Sequence, residues 1–110
     1  MAFRTASFDT TAAFYAANVW TIDHLGLGWR LDGTMGAHQV SMSGLDGGSF
    51  AVAIRLPGDP TWKTHATAAT EADTIIVLEP IISAIRFTAA SLGGSAAPIV
   101  HITSRPRGFA

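Results

Sequence analysis

Imidazole side chains have the greatest potential for chemistry in this chain, which carries four histidines: His24, His38, His65 and His101. Histidine is a common ligand of zinc, and two histidines four residues apart on a helix form a well-known metal-binding pair. No two of these histidines are that close, and each falls in a different predicted strand. We therefore predict that they have structural roles and that the chain holds no metal ion.

Nucleophilic catalysis lacks its usual sequence signals. A catalytic serine elbow reads G-x-S-x-G and lies between a strand and a helix. The run Ser91-Leu92-Gly93-Gly94-Ser95 is instead typical of a turn, because no helical pattern follows it. Cysteine is absent, which removes thiolate catalysis, disulfides and cysteine-based zinc sites. The sequence thus predicts a protein that is not an enzyme, with no catalytic residue and no cofactor.

Two loops contain residue types found in ligand-binding sites, but their chemistry does not favour binding. Gly44 to Gly48 is rich in glycine, but it carries the acidic Asp46 and precedes a predicted strand. A phosphate cradle needs the N-terminus of a helix there. Glu71 and Asp73 share a second loop, where two carboxylates fall short of the roughly six to eight oxygens that Ca²⁺ takes. We interpret the first segment as a turn that reverses the chain and the second as a solvated loop.

The chain has three tryptophans, Trp20, Trp29 and Trp62, and their role can be interpreted in two ways. On one face of a β-sandwich they could form a platform on which sugar rings stack. Alternatively they pack in the core or at a subunit interface, since an indole buries a large apolar area. Packing is the expected role, and solvent exposure of a tryptophan would favour the sugar platform.

The composition points to a small protein with a weakly charged surface. The chain has 110 residues, 14% of them charged, and a formal net charge of −1. Globular domains average about 25% charged residues, so this surface has little electrostatic defence against association. The scattered basic residues do not favour nucleic acid as a partner. No apolar run is long enough to span a membrane, and no apolar leader is evident near Met1.

The elements that must position these residues are short strands. About seven or eight of them end at Gly, Pro or Asp, at a spacing of roughly 10 to 15 residues, which is typical of a sandwich or small barrel. We predict an all-β, antiparallel, jelly-roll-like sandwich over residues 19–104, followed by a tail over 105–110. Residues 1–18 are predicted as an arm or edge strand, or alternatively as a short helix over Thr11 to Ala17 capped by Asp9 or Thr10.

The segment from Val40 to Arg55 gives the sharpest strand signal. Apolar residues alternate before and after a glycine-rich turn, which predicts a β-hairpin with Val40, Met42, Phe50, Val52, Ile54 and Leu56 facing the core. Trp20, Ile22 and His24 should face inward as well, and Ile81, Ser83, Ile85, Phe87 and Ala89 should share one face of their strand. The run from Thr74 to Leu78 is apolar on both faces, which indicates a central strand or an edge covered by a partner.

Three short motifs resemble small β-sandwich virion proteins of tailed bacteriophages. They are Ser43-Gly44-Leu45-Asp46-Gly47-Gly48-Ser49-Phe50, Ala84-Ile85-Arg86-Phe87-Thr88 and Leu92-Gly93-Gly94, and the resemblance covers Val40 to Thr103. It implies a multimeric, non-enzymatic part of a particle, commonly a trimer at capsid three-fold positions. The implied partners are the major capsid protein or other virion proteins, in a virion assembled in the host cytoplasm, with no small-molecule substrate.

The resemblance leads to a first functional hypothesis, a capsid decoration or cement protein that bridges neighbouring capsomers. The candidate interface anchors are aromatic residues near the N-terminus: Phe3, Phe8, Phe14 and Tyr15. The alternative is a tail-associated module that binds a glycan or receptor through Trp20, Trp29 or Trp62.

Overall fold

The computed structural model describes residues 4–23, 35–56, 58–77 and 82–106. Within these ranges the chain forms nine strands and no helix that is long and apolar enough to cross a membrane. The strands are β1 (Arg4–Phe8), β2 (Tyr15–Ala16), β3 (Val19–Asp23), β4 (Met35–Ser43), β5 (Ser49–Arg55), β6 (Lys63–Ala69), β7 (Ile75–Val77), β8 (Ala84–Ala90) and β9 (Ile99–Pro106).

The strands form two antiparallel sheets. The four-stranded sheet has the order β1-β9-β4-β7, and the five-stranded sheet has the order β2-β3-β8-β5-β6. With the two-residue β2 set aside, eight strands pair from the outside inward: β1 with β9, β3 with β8, β4 with β7, and β5 with β6. This nested pairing is a long hairpin rolled on itself, which is the jelly roll. The predicted all-β antiparallel sandwich is confirmed.

The core lies between the two sheets, where alternating side chains meet. In β5 every second residue is buried, because successive side chains on a strand point to opposite faces. The inward-facing predictions are confirmed for most of the residues named, which are buried: Trp20, Ile22, Val40, Met42, Phe50, Val52, Ile54, Ile85, Phe87 and Ala89. Leu56 is half-buried and packs against this cluster.

The predicted hairpin between β4 and β5 is wrong. These strands belong to different sheets, so the connection between them crosses from one layer of the sandwich to the other. Leu45 is fully buried within it, and the backbone reverses through positive φ angles at Gly44, Asp46 and Gly47. Alternation and turn residues predict two strands and a reversal. They do not reveal whether the second strand pairs with the first or crosses to the opposite sheet.

The segment before residue 19 contains strands rather than a helix. β1 is an edge strand that pairs with β9, with Phe8 opposite Val100, so the edge-strand alternative is the one that forms. The helix considered for Thr11 to Ala17 is not formed. Asp9 accepts a hydrogen bond from the backbone N–H of Thr11 at 2.9 Å and so begins a turn instead.

Within the doubly apolar run from Thr74 to Leu78, Ile75–Val77 form an edge strand. β7 pairs with β4, and within the described residues it has no strand on its other side. Val77 is buried, whereas Ile76 is 46% exposed. The central-strand alternative is therefore wrong for the described residues of this run.

Candidate functional site

Two arginines converge on one tryptophan at the five-stranded sheet. The guanidinium carbon of Arg86, in β8, lies 4.1 Å from the ring centroid of Trp62, just before β6. The guanidinium carbon of Arg55, in β5, lies 5.1 Å from the same centroid. Both distances fall within the range of about 6 Å for cation–π attraction. We call this arrangement the Arg55–Trp62–Arg86 cluster.

The strand register explains why Arg86 reaches Trp62. Arg86 stands opposite Thr21 of β3 on one side and Ala53 of β5 on the other. Both neighbours are small, so the long arginine side chain can extend over β5 towards Trp62. The Nε atom of Arg86 is buried and has no hydrogen-bond partner among the described residues. The cluster joins three elements, which is why the sequence alone did not point to it.

Arg55 also forms one wall of an open groove. Its Nε donates to the hydroxyl of Ser83 at 3.4 Å, and the backbone N–H of Ser83 donates to the Arg55 carbonyl at 2.8 Å. The groove has a volume of about 360 Å³ and is lined by Arg55, Leu56, Gly58, Asp59, Pro60 and Ser83. It therefore places a fixed guanidinium group beside a surface depression.

The carboxylate in this groove has partners of its own. Asp59 accepts a hydrogen bond from the backbone N–H of Thr61 at 2.9 Å and lies 3.6 Å from the ammonium of Lys63. The hydrogen bond from the Thr61 backbone, followed by smaller contributions that include the Lys63 charge, lowers the pKa of Asp59 below its ordinary value. Asp59 is thus engaged with these neighbours rather than with Arg55.

A second polar constellation links three strands of the four-stranded sheet. The Nδ1 atom of His101 lies 2.9 Å from the hydroxyl of Ser7, and its Nε2 atom lies 2.8 Å from the hydroxyl of Ser43. A histidine beside a serine can activate it as a nucleophile, but acyl transfer also needs free donors for the oxyanion. The adjacent N–H of Gly44 is already bonded to the Glu71 carboxylate at 2.8 Å. We interpret His101 as a clamp between β1, β9 and β4.

This interpretation predicts a modest stability cost for breaking the clamp. Ser43→Ala should lower the free energy of unfolding by about 1 kcal/mol, because the half-buried Nε2 of His101 loses its partner. Ser41→Ala is the matched control, since Ser41 is also in β4 and its side chain makes no hydrogen bond within the described residues. Urea denaturation measures both. Equal losses in the two variants would contradict the clamp.

The other histidines lie apart from His101. His38 is buried in the core, with Nδ1 2.7 Å from the Ser104 hydroxyl, and burial lowers its pKa to about 4. His65 is exposed, and its Nε2 donates to the Ile76 carbonyl at 2.9 Å. His24 lies outside the described residues. Within the described ranges, no group of three or more His, Asp or Glu side chains is arranged to hold a metal ion.

The aromatic anchor candidates pack largely within the chain. Phe8, Phe14 and Tyr15 are half-buried against the core. The rings of Phe8 and Phe14 meet edge to face at 4.8 Å, and Tyr15 lies 4.7 Å from the ring of Trp20. Phe3 lies outside the described residues. Much of the apolar surface proposed for a neighbour is therefore used in the chain's own fold.

The sugar-stacking candidates differ sharply in exposure. Trp20 is fully buried, and its indole N–H donates to the Asp9 carbonyl at 3.1 Å, so it offers no face to a ligand. Trp29 lies outside the described residues. Trp62 is half-buried, with the two arginines beside its ring. Among the described tryptophans, Trp62 is thus the one that reaches the surface.

Comparisons with known proteins leave the function to be argued from this surface. The chain matches no protein-family model, no curated protein and no solved structure.

Proposed function

We propose that this chain is a capsid decoration or cement protein of a tailed bacteriophage, which binds across neighbouring capsomers and stabilises them. Two features support the proposal, one from the fold and one from the sequence. Jelly rolls are a recurrent architecture of viral capsid domains. The motifs at Ser43 to Phe50 and Ala84 to Thr88 resemble those of phage virion proteins, as described above.

The main support for the proposal is that loop carboxylates are bonded within the chain, which has few charged residues. Carboxylates in the connecting loops accept hydrogen bonds from the chain's own backbone: Asp46 from Ser95 at 2.9 Å and Glu71 from Gly44 at 2.8 Å. The chain as a whole is poor in charged residues and rich in small ones. Such a surface suits burial against other subunits better than it suits catalysis on a small molecule.

The mechanism would be mechanical. Each contact with a capsomer adds buried area, and a standard interface covers about 800 Å² on each partner. A subunit that contacts two capsomers at once opposes their separation, because both contacts must expose their apolar area to water before the capsomers move apart. The resemblance favours a trimer, which would present three copies of the same surface around one axis.

Assembly is the test of this proposal. We expect the purified chain to sediment as an oligomer at high concentration and to co-sediment with expanded capsids made from the major capsid protein encoded in the same genome. Unexpanded capsids serve as the control, because decoration sites commonly form on expansion. A chain that stays monomeric and does not co-sediment with expanded capsids would contradict the proposal.

A glycan- or receptor-binding module of the phage tail is the second candidate. It is favoured by one observation, the half-buried Trp62 near a groove of about 360 Å³. A neutral oligosaccharide that quenches the tryptophan emission of the native chain, but not that of Trp62→Phe, would favour this candidate over the first.

A further inference from the structure

We propose that the Arg55–Trp62–Arg86 cluster is a binding site for carboxylate side chains on an acidic surface of a partner protein. The carboxylate chemistry rests on the cluster alone. The identity of the partner as a capsid subunit rests on the proposed function.

Guanidinium groups suit this ligand by their geometry. The planar fork of arginine donates two parallel hydrogen bonds to one carboxylate, and such charge-assisted pairs are among the strongest hydrogen bonds in proteins. Arg55 engages Ser83 through its Nε atom. The two terminal nitrogens of its guanidinium group would form the fork to the ligand.

The cluster holds both arginines in place before a ligand arrives. Their guanidinium carbons lie 4.1 and 5.1 Å from one ring centroid, that of Trp62. An arginine on a bare surface would lose more side-chain entropy on binding. Stacking against one ring, with the Ser83 bond on Arg55, therefore reduces the entropy cost of forming the complex.

The residues directly opposite the two arginines carry no charge, whereas Asp23 of β3 stands opposite Ala84. The residues opposite Arg86 are Thr21 and Ala53, and the residue opposite Arg55 is Ala84. None of them is acidic, and the groove's own carboxylate, Asp59, is engaged by Thr61 and Lys63.

The composition of the site favours a protein partner over an acidic sugar. Tryptophan and arginine are the residue types most enriched among the energetic hot spots of protein interfaces. Apart from Arg55, Asp59 and Ser83, the groove is lined by Leu56, Gly58 and Pro60. These residues have no side-chain groups to bond sugar hydroxyls, whereas they can pack against apolar atoms of a protein.

The experiment titrates the whole chain with hexaglutamate at low salt and follows tryptophan emission. We expect saturable binding, weakened about tenfold or more in Arg55→Gln and in Arg86→Gln. Arg55→Lys should also bind more weakly, because lysine keeps the charge and loses the fork. Arg4→Gln is the matched control, since it removes one positive charge from β1, in the other sheet, and should change the affinity less than twofold. Circular dichroism verifies that each variant is folded.

Several results would overturn the proposal. One is native affinity in both arginine-to-glutamine variants, and another is an equal loss in Arg4→Gln, which would indicate unspecific charge attraction. N-acetylneuraminic acid provides the second arm of the titration. If it bound through the same arginines while hexaglutamate did not, the ligand would be an acidic glycan and the protein partner would be wrong.

Co-sedimentation with capsids distinguishes a failure of this binding site from a failure of the proposed function. Arginine variants that lose hexaglutamate binding yet bind expanded capsids normally would overturn the role of the cluster at the capsid and leave the decoration function standing. A native chain that binds hexaglutamate but no capsid would overturn the decoration function and leave the carboxylate site standing.

Discussion

Acidification from pH 7 to pH 4.5 is expected to lower the free energy of unfolding by about 2 to 3 kcal/mol, and His38 is the cause. This side chain is buried in β4 and faces the core. Its Nδ1 atom bonds to Ser104, and its Nε2 atom has no hydrogen-bond partner among the described residues. The residues opposite it in the neighbouring strands, Val77 and Ser104, carry no charge that could stabilise an imidazolium.

The sign of the effect follows from the two pKa values of His38. Burial lowers its pKa from 6.5 to about 4 in the folded chain. As the pH falls through 6.5, the unfolded chain takes up a proton that the folded chain does not, so the unfolded state gains in stability. The contribution of His38 to folding is fully present above pH 6.5. It is lost progressively as the pH falls towards 4, below which both states are protonated.

Urea denaturation at several pH values between 7.5 and 4.5 measures this loss. The double variant His38→Phe/Ser104→Ala replaces the polar pair by apolar side chains, and it should be far less sensitive to pH in this window. His65→Gln, on the exposed side of β6, serves as the control and should keep the native pH dependence.

The carboxylates of Asp9 and Asp59 also have lowered pKa values, through hydrogen bonds from Thr11 and Thr61 respectively. Their contributions are lost only below about pH 4, outside the window of His38. An equal pH dependence in the native chain and the double variant would show that His38 is not the cause.

Gly44→Ala is expected to destabilise the fold by about 3 kcal/mol or more, from left-handed backbone strain together with overpacking. Gly44 has a φ of +71°, and a Cβ atom there would overlap the backbone carbonyl oxygen of Ala97. The two loops are in close contact because the backbone N–H of Ala97 donates to the Gly44 carbonyl at 2.8 Å. Since the obstacle is backbone, relief requires that one loop move away from the other.

Gly47→Ala is the matched control for this variant. Gly47 lies in the same connection with a φ of +85°, but a Cβ atom there would meet nothing within 4 Å. Its expected cost is about 1 kcal/mol, from the backbone conformation alone. Thermal and urea unfolding of the two variants measure the difference. Similar costs would mean that the contact between the Gly44 and Ala97 loops contributes little to stability.

The alternation of apolar residues was sufficient to predict the core but not the pairing of strands. Phe50, Val52 and Ile54 face inward as predicted, because the side-chain period of a strand is local. The partners of β5 do not follow from this period, since it pairs with the next strand, β6, and with the distant β8, and not with the preceding β4. A turn sequence rich in glycine serves a hairpin and a crossing between sheets equally well.

The candidate site was less predictable than the fold. The sequence marks Trp62 as an aromatic that could bind a ligand, but it does not connect Arg55 and Arg86 with this residue. Their meeting depends on the register between β5 and β8 and on the small side chain of Ala53 between them. The contact of His101 with Ser7 and Ser43 likewise depends on the pairing of strands far apart in the sequence, which one sequence does not reveal.

The position of β9 has a consequence for the order of events during synthesis. β9 lies between β1 and β4 in the four-stranded sheet, so until residues 99–106 have left the ribosome β1 has no partner strand and β4 can pair on one side only, with β7. Until then, both strands expose unpaired backbone groups, which favours aggregation. We therefore expect the sandwich to fold late and as a unit, and ribosome-bound chains that lack β9 to be sensitive to protease along their whole length.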